Sequence, residues 1–327
     1  MKILVTGSEG FVGKNLRAEL NNRGYEEIFC YDRDTDEKLL HEYTKKCDFV
    51  YHLAGVNRPE NDEEFMKGNY GFTSKLLNLL KKYNNQAPVL ITSSIQAKLD
   101  NPYGKSKKAG EEVMFEYSQE TGATVYVYRL PNLFGKWSKP NYNSVVATFC
   151  HNIAHDLDIE VHDRETELTL AYIDDVVDQF IKALEDKVLK EDKYCKIPVT
   201  HNIKLGDLAD LIKSFKESRE DLYLPNMGDD FTKKIYSTYL SYLPEDEFSY
   251  NLTMHEDERG SFTEMLRTEE YGQVSINVSK PGVTKGNHWH HTKNEKFLVV
   301  SGEGIIRFRN IYSEKVIEYE VSEDKLE

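Results

Sequence analysis

The stretch Val5-Thr6-Gly7-Ser8-Glu9-Gly10-Phe11-Val12-Gly13 constrains this chain more than any other. An apolar run, residues 2–6, precedes it. A segment with helical periodicity, residues 11–22, follows, with Phe11, Val12, Leu16 and Leu20 recurring on one side. A strand, a glycine turn and a helix in that order form a phosphate-binding device. Gly7 permits the tight turn, Gly10 lets backbone approach a pyrophosphate, and Gly13 lets the helix pack close to the strand. The free N–H groups at the helix start, from Phe11 and Val12 onward, would receive the phosphates. Asp32 lies 19 residues beyond Gly13, where an acid can hold an adenine ribose. Arg33 beside it can hold a 2′-phosphate, so the residues alone leave NAD and NADP both open.

The rhythm continues past the turn. Strands are expected at 28–31, 49–53, 89–92 and 124–130, and helices at 63–83 and 103–121. This alternation predicts an α/β fold, a Rossmann-type doubly wound parallel sheet covered by helices on both faces. Further helices are expected at 173–185, 205–218 and 231–243, and residues 243–247 read as a linker. Beyond it the helical period disappears. Runs at 271–278, 296–300, 304–310 and 315–321 predict short strands of an all-β segment. The expected domains are therefore 1–243 and 244–327.

Composition narrows the function. The chain has 327 residues and a formal net charge of −14, so nucleic-acid binding by net charge is not expected. No long apolar run predicts a membrane span, and near the N-terminus the apolar run Ile3-Leu4-Val5, soon interrupted by Gly7 and Glu9, is too short for a secretory signal. Four scattered cysteines without a C-x-x-C pattern read as reduced thiols of a cytoplasmic protein.

Tyr103 and Lys107 stand four residues apart, on one face of a helix. A nearby ammonium favours the phenolate, which predicts a Tyr103 pKa brought toward working pH. Such a tyrosine can protonate a carbonyl oxygen as hydride arrives. Ser94, at the end of the fourth strand, can hydrogen-bond the same oxygen.

Together these motifs resemble the extended short-chain dehydrogenase/reductases over about residues 1–243. They are the glycine turn, His52-Leu53-Ala54-Gly55, Asn69, Tyr103/Lys107, Arg129-Leu130-Pro131-Asn132-Leu133-Phe134-Gly135, and Tyr172-Ile173-Asp174-Asp175-Val176. The resemblance implies Ser94, Tyr103 and Lys107 as catalytic residues. It implies a cofactor site formed by Gly7, Gly10, Phe11, Val12, Gly13, Asp32, Arg33, Leu53, Ala54, Gly55, Asn69, Tyr103 and Lys107. It places Asn132 near a nucleotide sugar. Ser94 and Tyr103 are only nine residues apart, shorter than the family's habit. Ser93-Ser94-Ile95 also lacks the acidic pair of the family's sugar dehydratases, which favours reduction or epimerisation.

The C-terminal segment carries a second pattern. Gly282, His288, His290, Glu295 and Gly302 keep the spacing G-x5-H-x-H-x4-E-x6-G. Strand alternation puts His288 and His290 on one face, and Glu295 completes a three-ligand set for Zn²⁺ or another divalent metal. The spacing resembles the first motif of the cupins, jelly-roll proteins. No counterpart of their second motif follows Gly302, so the barrel reads as partial and C-terminally truncated. Asp257-Glu258-Arg259-Gly260-Ser261-Phe262-Thr263-Glu264 resembles a run of the deoxysugar 3,5-epimerases. That resemblance makes Arg259 a diphosphate ligand and His288 a general base, so His288 is open between ligand and base.

A reductase joined to an epimerase-like cupin resembles a bifunctional enzyme family of bacterial capsular polysaccharide synthesis. This implies a UDP-2-acetamido-2,6-dideoxy-4-ketohexose substrate, C3 epimerisation, C4 reduction with NADPH, and a homodimer. Two other readings stay open: an NAD-dependent sugar 4-epimerase with a structural cupin, and a non-enzymatic nucleotide sensor.

Overall fold

The computed structural model describes residues 1–325; the last two residues of the expected C-terminal segment, 326–327, lie outside the described residues. Strand β1 (Ile3–Thr6) leads to helix α1 (Phe11–Asn22), β2 (Ile28–Tyr31), α2 (Glu37–Lys46) and β3 (Phe49–His52). The short α3 (Glu63–Phe65) precedes a π-helical turn at Met66–Gly71, α4 (Phe72–Lys82) and β4 (Val89–Ser94). Helix α5 (Pro102–Thr121), β5 (Val125–Leu130) and β6 (Asn132–Phe134) follow, then α6 (Val145–Ala154), β7 (Glu167–Tyr172) and α7 (Ile173–Ala183). Next come β8 (Lys190–Glu191), β9 (Tyr194–Cys195), β10 (His201–Lys204), α8 (Leu205–Asp221) and α9 (Asp230–Leu240).

The main sheet has the order β2-β1-β3-β4-β5-β9-β8. The pairs from β2 through β5 to β9 are parallel. Alternation along β1 shows why both faces are covered. Ile3 and Val5 join one apolar layer with α1 and α7, whereas Leu4 joins the opposite layer with α2, α4 and α5. The chain leaves β1 toward β2 on one side and returns to β3 on the other. That reversal opens a crevice at the carboxyl ends of β1 and β3, where doubly wound sheets take their ligands. A second layer pairs β10, β7 and β6 and packs on α6, α8 and α9 through Phe134, Phe149, Leu208 and Phe215.

The expected α/β architecture is present, with local differences. The helix expected at 63–83 is three pieces, because the π turn interrupts it. Helices α2 and α6 were not expected. α2 has few apolar residues, and α6 is apolar almost throughout and shows no clear period.

The C-terminal region is all-β. It contains β11 (Met254–Asp257), β12 (Gly260–Thr268), β13 (Gly272–Ser279), β14 (Glu303–Arg309) and β15 (Val316–Ser322). β14 and β15 form an antiparallel pair, Glu303 opposite Ser322 through Arg309 opposite Val316. The strand expected at 296–300 is not formed; that segment has no ladder partner, and a short apolar run alone does not make a strand. By contact density the chain divides into two compact units, one of residues 1–255 and 262–276, the other of 256–261 and the residues from 277 onward.

Candidate active site

The crevice is a cleft of about 1170 Å³. Its wall holds Gly7, Gly10, Phe11, Val12, Gly13, Asp32, Arg33, Leu53, Ala54, Gly55, Ser94, Tyr103, Lys107 and Asn132. The glycine turn is shaped by absent side chains. Gly7 has φ +70°, and a Cβ there would lie 2.7 Å from the Ala54 nitrogen. A Cβ on Gly13 would lie 2.2 Å from the Gly7 carbonyl oxygen. The first turn of α1 carries no side-chain cap, so its N–H groups remain available to an anion. Those features fit the pyrophosphate of a nicotinamide dinucleotide, and such a cofactor supplies hydride when bound.

Asp32 is tied to the turn itself. Its carboxylate accepts from the Ser8 hydroxyl and from the Glu9 N–H, the latter at 3.1 Å. Arg33 is exposed beside it on the cleft wall.

Asn69 lies behind the wall rather than on it. It is buried, its Oδ1 accepts from the Val56 N–H at 2.8 Å, and its Nδ2 donates to the Val56 carbonyl at 3.1 Å and to Ser106 Oγ at 2.9 Å. Its amide thereby holds the loop after β3 against α5. A Cβ on Gly55 would lie 3.0 Å from Asn69 Oδ1 and 3.1 Å from Lys107 Nζ, so that glycine lets both side chains approach.

The nine-residue link from Ser94 to Tyr103 is closed by local rules. Ser94 Oγ accepts from the Gln96 N–H at 3.2 Å and caps a 3₁₀ turn at Ile95–Lys98. Asn101 caps α5 by accepting from the Gly104 N–H at 2.7 Å, and Pro102 occupies the first helical turn. A Cβ on Gly104 would lie 2.3 Å from the Gln96 carbonyl oxygen, so the short link needs glycine there.

Tyr103 and Lys107 share one face of α5, with Lys107 Nζ 5.7 Å from the Tyr103 ring centre. Their electrostatics differ from expectation. Burial raises the Tyr103 pKa above that of a free phenol, and a hydrogen bond with Ser94 opposes the rise. The ammonium does not bring it down: Lys107 Nζ donates to the Thr92 carbonyl at 3.2 Å instead. Burial pushes Lys107 down to about 8, while the charge of Glu111 works the other way. Near neutral pH Tyr103 is therefore a phenol that carries its proton, the form a general acid requires.

Two features were not expected from sequence. His52 is buried between Thr6 and Thr73, at 2.7 Å and 2.9 Å, and burial drops its pKa to about 3. The loop of residues 135–144 also lines the cleft with Trp137, Ser138, Lys139, Tyr142 and Asn143. Neither has a periodic signature, so only the packed chain reveals them.

The C-terminal candidates lie in the other compact unit. His288 and His290 bring their Nε2 atoms within 3.2 Å, and His290 Nε2 is 3.8 Å from Glu295 Oε2. Yet among the described residues no group of three or more His, Cys, Asp or Glu side chains is arranged to hold a metal. The expected three-ligand centre is thus not assembled. The donors sit in a segment without regular strands, and Lys293 takes Glu295 Oε1 at 2.6 Å. Arg259 is exposed and paired with Asp257 at 2.6 Å. Among the described residues no helix is long and apolar enough to cross a membrane.

Comparison with known proteins agrees with this geometry. Residues 3–194 match the NAD dependent epimerase/dehydratase family, and residues 255–327 match the polysaccharide biosynthesis C-terminal domain. The chain is 48% identical over 311 residues to the UDP-2-acetamido-2,6-beta-L-arabino-hexul-4-ose reductase of Pseudomonas aeruginosa, covering 95% of this chain and 83% of that protein. It superimposes with TM-score 0.94 and 54% identity on the capsular polysaccharide assembling protein CapF of Staphylococcus aureus, covering 100% of this chain and 89% of that one. A structure of CapF with the inhibitor 3-isopropenyl-tropolone matches at TM-score 0.89 and 48% identity, over 100% of this chain and 88% of that one. By site and by relatives, the chain belongs to the NAD dependent epimerase/dehydratase family, as an extended short-chain dehydrogenase/reductase of the CapF type.

Proposed function

We propose that the cleft reduces the C4 ketone of a UDP-2-acetamido-2,6-dideoxy-4-ketohexose, with NADPH as hydride donor, to a UDP-2-acetamido-2,6-dideoxy-L-talose. The observation that carries this is the meeting of Ser94, Tyr103 and Lys107 with the glycine turn in one cleft. Tyr103 delivers its proton to the ketone oxygen as hydride reaches the carbon. Ser94 steadies the same oxygen by a hydrogen bond. Lys107, tied to the Thr92 carbonyl, holds its ammonium on the same cleft wall, where the positive charge attracts the anionic substrate and cofactor. Asn132 contacts the nucleotide sugar. Arg33 selects NADPH, because the Asp32 carboxylate is already engaged by the turn.

The C-terminal β-segment performs C3 epimerisation before the reduction, with His288 as base and Arg259 released from Asp257 to meet diphosphate. A ketone at C4 acidifies the C3 proton, so the order is fixed by chemistry. The protein acts in the cytoplasm as a homodimer in capsular polysaccharide synthesis.

Incubation with the 4-ketosugar and NADPH in D₂O tests both halves. Loss of nicotinamide absorbance in step with talo-product, with deuterium at C3, is expected. Interconversion of sugars without net NADPH consumption would overturn the reduction in favour of a 4-epimerase.

A further inference from the structure

The loop after β3 and the loop of residues 135–144 meet at Tyr142. Arg58 Cζ lies 5.5 Å and Lys139 Nζ 5.4 Å from the centre of its ring. Tyr142, Lys139 and Trp137 line the cleft, and Trp137 is 52% exposed. Among the described residues neither Arg58 nor Lys139 has a carboxylate oxygen within 4.0 Å. The neighbouring Lys136, by contrast, is paired with Asp174 at 2.7 Å.

The loop is held in place from below. Tyr242 donates its hydroxyl to the Ser138 carbonyl at 2.5 Å, and Asn15 Nδ2 donates to the Lys136 carbonyl at 3.1 Å. Asn141 N–H donates to Thr148 Oγ1 at 3.0 Å. Trp137 itself sits at φ +68°, a conformation that a bulky residue adopts only when its surroundings impose it. Lys139 and Tyr142 thus stand on the cleft wall in an anchored loop, and Arg58 reaches the Tyr142 ring from the loop after β3.

We propose that Arg58, Lys139 and Tyr142 form the subsite for the diphosphate of the nucleotide sugar; this rests on the nucleotide-sugar reading above. A guanidinium and an ammonium suit phosphate oxygens, and an aromatic face beside them suits a pyrimidine base. The cofactor also contains a diphosphate, but the glycine turn and the start of α1 provide for that one. The cleft therefore holds two separate diphosphate sites, one built from backbone N–H groups and one from side chains.

Binding of UDP and of NADPH is measured separately by titration calorimetry on the full chain. The variants are Arg58→Ala, Lys139→Ala, Tyr142→Ala and the double cation variant, each checked for an unchanged melting temperature. UDP affinity is expected to fall about tenfold per cation removed, steeply dependent on salt, with NADPH affinity within about twofold of wild type. Arg58→Lys and Lys139→Arg should retain most of the UDP affinity. Unchanged UDP affinity in the double variant overturns the subsite and leaves the nucleotide-sugar reading intact. Loss of NADPH affinity in place of UDP affinity overturns it by assigning the cations to the cofactor. A wild-type chain that does not bind UDP overturns both.

Discussion

Arg129 grips Glu111 with two prongs, Nε to Oε1 at 2.8 Å and Nη2 to Oε2 at 2.6 Å. Glu111 is only 1% exposed, and Ser93 donates its hydroxyl to the same carboxylate at 2.5 Å. Tyr103, Lys107 and Glu111 follow one another at four-residue intervals, so they share a face of α5. The buried carboxylate thus joins α5 to β4 and β5, and its charge supports the Lys107 ammonium against burial. Glu111→Gln removes that support. The Lys107 pKa then falls below its present value of about 8, and the alkaline limb of the kcat/KM profile moves to lower pH. Leaving Arg129 without its partner costs about 3 kcal/mol of stability, toward the lower end for a broken buried pair because Tyr194 still meets the guanidinium. A pH profile and a urea melt read the two effects separately; an unmoved alkaline limb would disprove the link to Lys107.

Tyr103→Phe removes the proposed proton donor while keeping the ring on the cleft wall. Turnover should drop by about 10²- to 10⁴-fold while NADPH binding persists. Since burial raises Tyr103, its phenol stays protonated past the ordinary range, and a rate loss above about pH 8 is the signature of Lys107 instead. Lys107→Arg should erase that limb. A limb surviving in Lys107→Arg would reassign it.

The parts of this site that the sequence reveals are those set by local geometry. A glycine turn and a four-residue spacing on a helix need no knowledge of distant residues. The rest depends on contacts across the chain. His52 meets Thr6 across 46 residues and Thr73 across 21, and Glu111 meets Arg129 across 18. Spacing put Lys107 near Tyr103 correctly, but the direction of the phenol's shift depends on burial, which spacing does not contain. Asn69 stands out by its motif, but its bonds to Val56 and Ser106 follow only from the packed chain. In the C-terminal segment the histidine spacing is intact, yet regular strands to orient the donors are missing around them.

Gly13→Ala tests the cradle of the glycine turn. The new Cβ meets the Gly7 carbonyl oxygen at 2.2 Å and the Ser8 carbonyl oxygen at 2.7 Å, both backbone atoms that cannot swing aside. Either α1 withdraws from the sheet or the turn opens. NADPH affinity should fall by at least about tenfold, with a loss of roughly 1–3 kcal/mol in stability. Calorimetric titration with NADPH and a thermal melt check this. Wild-type affinity in Gly13→Ala would show that the turn does not need its close approach.

His52 makes the acid sensitivity of the fold predictable. The Thr73 hydroxyl donates to the Asn69 carbonyl at 2.5 Å, so it can only accept from the imidazole, which places the ring proton on Nε2. Nδ1 then accepts from the Thr6 hydroxyl, whose oxygen receives the Ala54 N–H at 3.4 Å. This directed chain ties the turn after β1 to the π turn bearing Asn69, and it requires a neutral ring. Burial is the main cause of the pKa near 3, with the positive charge of Lys107 adding to it. In the unfolded chain the same histidine titrates near about 6.5. Its contribution is therefore fully present above about pH 6.5 and is lost progressively as pH falls toward 3, because only the unfolded state takes up the proton. Between about pH 7.5 and about pH 5 the loss from this one group is about 2 kcal/mol. His52→Gln keeps one donor and one acceptor but cannot charge. Urea unfolding at those two pH values should show wild type losing about 2 kcal/mol more than His52→Gln. Equal losses in the two proteins would mean that charging of His52 does not limit the fold in acid.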